Sequence, residues 1–139
     1  MSATNIIEDR DVILNNPPDI LLTNFKMMDY GLMQNHFHKL WVHNLADPSL
    51  LKFIVLDEIH TYDGAQGSDV ANLLRRLKLK LNINRGQLCP VGTSATMGSG
   101  DNAKTQLLDY ATKLFGEKFD ASSIIGESRM ALGDFMGKD

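Results

Sequence analysis

Short apolar runs alternate with amphipathic stretches along this chain of 139 residues. Three of the runs, at residues 19–24, 51–56 and 87–92, predict strands, and Pro17 and Pro18 before the first one block helix and favour an extended entry. The runs are apolar on both faces and do not alternate with polar residues. This pattern is typical of parallel strands in a sheet that helices cover on both sides.

Helical periodicity predicts four helices beside these strands. The strongest pattern covers residues 68–81, with Ser68 as N-cap and its apolar side chains within about 100° of the helix circumference. A second pattern covers residues 102–115 and stops before a glycine, and weaker ones cover residues 8–14 and 25–34. The resulting order of strand, helix, strand, helix, strand, helix predicts an α/β domain with a mainly parallel sheet.

Composition and charge narrow the class of protein. The 14 Lys and Arg residues against 17 Asp and Glu give a net charge of -3, which argues against a generally basic nucleic-acid binder but not against one local groove. A single cysteine excludes an internal disulfide and a cysteine-based zinc site. With no apolar run long enough for a bilayer and no signal peptide, we expect no membrane contact and a cytoplasmic location.

Each apolar run ends in small polar or acidic residues. These ends are Thr23-Asn24, Asp57-Glu58-Ile59-His60 and Thr93-Ser94-Ala95-Thr96. Parallel strands place their carboxyl ends at one edge of the sheet, so the three ends predict a single site. The Asp57-Glu58 pair suits magnesium phosphate chemistry, in which one carboxylate holds the ion and another group orients water. Taken alone, the same pair is more typical of two solvated acids at a strand exit.

The flanking residues favour the chemical interpretation. Asp57 to His60, followed about 30 residues later by G-T-S-A-T, resembles motifs II and III of superfamily-two helicases of the DEAD/DEAH-box class, in their D-E-x-H form. Residues 18–24, P-D-I-L-L-T-N, resemble the segment upstream of motif II. Residues 62–77, Y-D-G-A-Q-G-S-D-V-A-N-L-L-R-R-L, are similar to the subgroup that contains RecQ-related bacterial and fungal DNA helicases and helicases of genome maintenance or phage defence.

The resemblance implies a RecA-like parallel sheet flanked by helices. Because the chain contains no G-x-x-x-x-G-K-[ST] phosphate loop, residues 1–139 would form an incomplete ATP-binding domain, the C-terminal half of helicase domain 1. The complete protein would use ATP and Mg²⁺, and would act on nucleic acid, DNA by its subgroup. The absent N-terminal part and a second RecA-like domain would be its partners. The chain alone would be inactive, and its exposed sheet edges would favour self-association.

The resemblance also assigns roles residue by residue. In the catalytic group, Asp57 would hold Mg²⁺ through water, Glu58 would activate the hydrolytic water, and His60 would couple the nucleotide site to the nucleic acid. Five further residues would bind or couple. These are Ser94, Ala95 and Thr96, which would form the motif III coupling, and Thr23 and Asn24, which would contact the nucleic-acid backbone.

Two other functions remain open from the residues themselves. The missing phosphate loop is compatible with a non-catalytic RecA-like module that binds nucleic acid or protein. His36, His38, His43 and His60, beside Asp57 and Glu58, could supply ligands for a metal-dependent hydrolase, although the histidines lack a spacing such as H-E-x-x-H. We expect the cations on the helix at residues 68–81 to lie on its solvated side, and Cys89 to be a small core residue.

Overall fold

The computed structural model describes residues 7–94 and 101–126. Its helices are α1 (Arg10–Asn15), α2 (Phe25–Met33), α3 (Val42–Ala46), α4 (Gly64–Lys80) and α5 (Asp101–Phe115), and its strands are β1 (Phe53–Leu56) and β2 (Cys89–Gly92). Single 3-10 segments lie at Asn35–Trp41, Pro48–Leu50, Ile59–Thr61 and Ala121–Ser123. No helix in the described ranges has the length and apolarity needed to cross a membrane.

β1 and β2 form a parallel two-stranded sheet. Phe53 lies opposite Cys89, and Leu56 lies opposite Gly92. Parallel strands cannot be joined by a tight turn, and here the chain between them contains α4. The predicted α/β class, a small parallel sheet with flanking helices as in part of a RecA-like domain, is confirmed.

One face of this sheet is packed and the other is exposed. Ile54 and Leu56 are half-buried against the apolar core, whereas Phe53 and Val55 are 63% and 60% exposed. Cys89 is exposed as well. The prediction that helices cover both faces is therefore wrong for the described residues, since their helices pack on one side. The prediction of a buried Cys89 is wrong for the same reason.

Residues 19–24, predicted as the first strand, form no strand in the structure. The segment is irregular and joins α1 to α2. Leu21 packs against the core, but Ile20 and Leu22 are 79% and 88% exposed. An extended run becomes a strand only when a neighbour completes its hydrogen-bond ladder. Among the described residues the sheet contains β1 and β2 alone, and this run pairs with neither of them.

α4 contributes to two apolar clusters. The first, which we call the site-side cluster, comprises Ile59, Val70, Ala71, Leu74, Ala111, Leu114 and Phe115. The second, the distal cluster, comprises Leu14, Phe37, Leu40, Trp41, Leu77, Leu81, Ile83 and Leu88. Complete burial of an aliphatic or aromatic side chain stabilises a fold by about 1.5 to 3 kcal/mol. α4 is thus the element on which both halves of the core depend.

α4 begins earlier than its apolar periodicity predicts. Ser68 is not the N-cap, because the helix starts at Gly64 with Asp63 as its cap residue. The Ser68 hydroxyl instead donates to the Gly64 carbonyl, at 3.2 Å, within the helix. Residues 64–67 carry no large apolar side chain, so a periodicity argument has nothing to detect in this first turn.

The cations of α4 bind partners on other elements. Arg75 donates to the Lys113 carbonyl at 3.3 Å, Arg76 pairs with Asp29, Lys78 pairs with Glu117 at 2.5 Å, and Lys80 donates to the Leu32 carbonyl at 2.6 Å. The Lys78–Glu117 pair is largely buried, with 14% and 9% of the two side chains exposed. The prediction of a solvated face is therefore wrong for Lys78 and Lys80, which are half-buried, whereas Arg75 and Arg76 are exposed as predicted, although each also binds a distant partner.

Candidate functional site

The carboxyl ends of β1 and β2 meet at one edge of the sheet. The backbone ladder continues past both strands, because the Thr93 N–H donates to the Leu56 carbonyl at 3.0 Å and the Ile59 N–H donates to the Thr93 carbonyl at 2.9 Å. These bonds hold the segment after β2 against the segment after β1. We call the polar residues brought together here the strand-end site. They are Asp57, Glu58, His60, Thr93 and Ser94.

The Thr93 hydroxyl connects the two carboxylate residues of this site. It accepts a hydrogen bond from the Glu58 backbone N–H at 3.1 Å. It also donates to Oδ1 of Asp57. A hydroxyl can do both at once, since it has one proton and two lone pairs. The Asp57 side chain and the Glu58 backbone are therefore fixed by one group from the neighbouring strand end.

His60 connects Glu58 with Ser94. Its Nδ1 lies 3.2 Å from Oε2 of Glu58 and 3.1 Å from Oγ of Ser94. A neutral imidazole carries at most one proton on this nitrogen, so it can donate fully to only one of the two acceptors at a time. The same three side chains were predicted to belong to motifs II and III. The structure thus places Nδ1 of His60 within hydrogen-bond distance of both segments.

Ile59 fastens the turn of the strand-end site to the core. Its side chain is 3% exposed and belongs to the site-side cluster. A Cβ added to Gly92 would lie 2.9 Å from Cδ1 of Ile59 and 3.4 Å from the ring of Phe115. A side chain at position 92 would therefore displace Ile59. Glycine at the end of β2 is what allows the turn to pack this closely on the sheet.

Tyr110 of α5 binds the same turn from the other side. Its hydroxyl donates to the Ile59 carbonyl at 3.1 Å and to the Tyr62 carbonyl. Burial raises the pKa of Tyr110 above its ordinary value of 10.0, and the negative charge of Asp63 raises it further. The hydroxyl is thus a hydrogen-bond donor at neutral pH. A Cβ on Gly67 would lie 2.6 Å from the Tyr62 carbonyl oxygen, so glycine permits α4 to approach the turn.

Thr23 and Asn24 lie before α2 and outside the strand-end site. Both are exposed, and the Asn24 side chain caps α2 by accepting a backbone N–H at 2.9 Å. Phe25 packs edge-on against Tyr62, with 6.1 Å between ring centroids. In the described part of the chain no hydrogen bond joins Thr23 or Asn24 to the site. The prediction of three strand ends at one edge is wrong for this segment, because residues 19–24 are not in the sheet.

The remaining predicted residues, Ala95 and Thr96, lie outside the described residues. Sequence reasoning missed Thr93, to which it gave no role. Extending the parallel register by one residue past both strand ends places Thr93 beside Asp57. That register was the signal that could have identified it.

The strand-end site carries the oxygen groups that Mg²⁺ prefers. Asp57 and Glu58 are exposed beyond the end of β1, where a cation with water and phosphate ligands could approach them. The chemistry of these residues therefore fits an ion held by one carboxylate. Over the described ranges no three His, Cys, Asp or Glu side chains are grouped so as to hold a metal by themselves, and this includes His36, His38 and His43.

Comparison with known proteins identifies the family. Residues 2–104 match the model of the DEAD/DEAH box helicases, and this match contains β1, β2 and the strand-end site between them. The chain belongs to this helicase family. No solved structure matches the helicase chain significantly.

Three curated relatives are similar over most of this helicase chain. It is 39% identical to Druantia protein DruE of Escherichia coli over an aligned segment of 101 residues. This segment makes up 66% of the chain and 6% of DruE. It is 36% identical over 120 residues to uncharacterized ATP-dependent helicase MJ1574 of Methanocaldococcus jannaschii. Here the aligned segment makes up 84% of the chain and 16% of the relative. It is 36% identical over 95 residues to uncharacterized ATP-dependent helicase YprA of Bacillus subtilis, and the aligned segment makes up 68% of the chain and 12% of YprA. The chain thus corresponds to a small share of each relative's length.

Proposed function

We propose that the strand-end site is the hydrolytic part of an ATP-dependent DNA helicase, and that residues 1–139 belong to its first motor domain. The observation that carries this proposal is the joining of Asp57 and Glu58 to the next strand end through Thr93 and His60. A hydrolytic site needs carboxylates in defined positions, and a motor needs that site connected to neighbouring segments. Membership of the helicase family supports both parts.

Each residue then has a chemical task. Mg²⁺ bound with ATP would neutralise phosphate charge, and Asp57 is the carboxylate that would hold it. Glu58 orients the attacking water and accepts its proton. His60 exchanges its Nδ1 hydrogen bond between Glu58 and Ser94, so the state of the carboxylate is transmitted to the segment after β2. Ala95 and Thr96 would extend that transmission.

The nucleic-acid contact is assigned to Thr23 and Asn24. Both are exposed at the start of α2, where short polar groups can contact phosphates without reading base sequence. Phe25 packs on Tyr62, which belongs to the turn after the strand-end site. A nucleic-acid strand bound at the start of α2 would thus be connected to that turn through the contact between these two rings. We assign such a helicase to the cytoplasm, and to genome maintenance or phage defence as its pathway.

A second candidate is a RecA-like module that binds nucleic acid or protein without nucleotide. The observation that favours it is the lack of a G-x-x-x-x-G-K-[ST] segment within the 139 residues. The two candidates differ in their response to ATP. A module of this kind would bind its partner equally well with and without ATP, whereas a helicase would bind and release nucleic acid in step with hydrolysis.

Glu58→Gln in the complete helicase tests the first candidate. The amide retains the shape of the side chain but cannot accept a proton from water. We expect kcat of nucleic-acid-stimulated ATP hydrolysis to fall about 10²- to 10⁴-fold, the usual contribution of a general base. ATP binding, measured with a fluorescent ATP analogue, should be retained.

Glu8→Gln is the matched control, because Glu8 is an exposed glutamate outside every contact of the site. It should leave both measurements unchanged. Wild-type turnover in Glu58→Gln would contradict the role of Glu58 and favour the non-catalytic module.

A further inference from the structure

The geometry of the strand-end site points to an unassigned residue: we propose that Thr93 is a positioning residue that orients Asp57 and Glu58 through one hydroxyl group. This inference rests on the proposed function, because it concerns the same two carboxylates. Thr93 itself would contact neither ATP nor the attacking water. It would act by fixing the side chain of one acid and the backbone of the other.

The direction of the hydrogen bonds is fixed by their chemistry. A backbone N–H can only donate, so the Glu58 N–H donates to Oγ1 of Thr93. The carboxylate of Asp57 is a pure acceptor when ionised, so the single hydroxyl proton is directed to it. The two bonds form a short chain that ends on a negative charge, and bonds to a charged acceptor are the stronger kind.

Thr93 can serve as a fixed reference because its own backbone is held on both sides. Its N–H donates to Leu56, before the acidic pair, and its carbonyl accepts from Ile59, after the pair. The acidic pair therefore lies within a loop whose two ends are bonded to one residue. The hydroxyl of that residue then reaches the interior of the loop.

Glu58 is the residue of this loop that needs such support. Its backbone is left-handed, with φ 52° and ψ 49°. This conformation is unfavourable for a residue with a side chain, because its Cβ comes too close to the following carbonyl oxygen. Such strain persists where the surroundings hold the residue in place, and it occurs often at functional sites. The hydrogen bond from the Glu58 N–H to Thr93 offsets part of this cost and selects the direction in which the Glu58 side chain leaves the chain.

Two substitutions separate the hydroxyl from the shape of the side chain. Thr93→Val retains the branched shape but removes both hydrogen bonds, and Thr93→Ser retains the hydroxyl but removes the methyl group. In the complete helicase, Thr93→Val should lower kcat about 10- to 100-fold, as is usual when the partner of a metal-binding carboxylate is lost. Thr93→Ser should retain kcat close to that of the wild type. The KM for ATP, measured at saturating Mg²⁺, should change little, because Thr93 does not contact the nucleotide.

A readout independent of activity is Mn²⁺ binding, followed by electron paramagnetic resonance with a non-hydrolysable ATP analogue. Thr93→Val should weaken Mn²⁺ binding and Thr93→Ser should not. Thr112→Val is the matched control, because Thr112 lies on α5 and its hydroxyl makes no hydrogen bond to the strand-end site among the described residues. It should leave Mn²⁺ binding and kcat unchanged. If Thr93→Val does not fold, Thr93→Ala serves in its place.

The outcomes distinguish this inference from the proposed function. Equal losses in Thr93→Val and Thr93→Ser, or wild-type kcat and Mn²⁺ binding in Thr93→Val, would overturn the role of the hydroxyl while Glu58→Gln remains inactive. Full turnover in Glu58→Gln would instead overturn the proposed function. Loss of kcat and Mn²⁺ binding in Thr93→Val alone, with both retained in Thr93→Ser and Thr112→Val, supports the inference.

Discussion

At the scale of single residues, Tyr110 shows how one side chain supports the strand-end site from outside it. Replacing it by Phe removes the donor to the Ile59 and Tyr62 carbonyls but retains the ring. We expect Tyr110→Phe to lower the free energy of unfolding by about 1 to 2 kcal/mol, the usual cost of leaving partly buried polar groups without a partner. Urea unfolding at neutral pH measures this difference.

The pH dependence of the same variant has a definite sign. The pKa of Tyr110 is raised in the folded protein, first by burial and then by Asp63, so above pH 10.0 the unfolded chain loses the proton more readily than the folded one. The contribution of Tyr110 to stability is complete below pH 10.0 and decreases as pH rises through the folded pKa. The wild type and Tyr110→Phe should therefore converge in stability at alkaline pH. A constant difference across this pH range would contradict a raised pKa.

Residue types at strand ends were predictable, but their partners were not. Asp57, Glu58 and His60 were identified because polar residues directly after an apolar run stand out in the sequence. Thr93 and Tyr110 were not identified, because a threonine or tyrosine has no distinct role until the fold shows what its hydroxyl reaches. Their contacts with the turn span 35 or more residues of sequence, and no local pattern encodes such a distance.

At the scale of elements, amphipathic helices were predictable and the first strand was not. α2 and α5 match the predicted ranges 25–34 and 102–115 to within one residue at each end, because each helix displays its own apolar stripe. A strand depends on a neighbour that lies elsewhere in the chain. The apolar run at residues 19–24 is not brought beside β1 or β2, and it therefore forms no strand.

The ends of α4 and α5 are joined by a largely buried ion pair whose loss should be costly. Lys78 donates to Glu117 at 2.5 Å and to the Phe115 carbonyl at 2.8 Å, and Glu117 also accepts the Gly86 N–H at 3.2 Å. Lys78→Met would leave Glu117 buried without its cation. We expect a loss of about 3 kcal/mol in the free energy of unfolding, as for other buried pairs with one partner removed.

A double-mutant cycle in urea unfolding measures this coupling. The double variant Lys78→Met/Glu117→Gln should lose less free energy of unfolding than the two single variants lose together. The reason is that the double variant leaves no unpaired charge at this position. Arg76→Met is the matched control, since the Arg76–Asp29 pair is much more exposed and should contribute under about 1 kcal/mol. Additive losses for Lys78 and Glu117 would show that the pair is not coupled.

At the scale of the whole molecule, the described residues leave an apolar sheet face open to solvent. Phe53 and Val55 on β1 lie opposite Cys89 and Val91 on β2, and all four side chains are exposed. Each strand of this sheet also has one side without a partner among the described residues. An open strand edge beside an apolar face is a template for pairing with another chain. Such a surface gives the chain a place to associate with itself.

We therefore expect the 139-residue chain to self-associate as its concentration rises, through this face. Val55→Lys places a charge at its centre, so sedimentation velocity should show a smaller share of oligomer than for the wild type. Leu79→Lys is the matched control, because Leu79 is 77% exposed on α4, away from the sheet. An equal effect of both variants would indicate association without a defined surface. A wild-type chain that stays monomeric at every concentration would contradict the prediction, since the exposed face would then be tolerated in water.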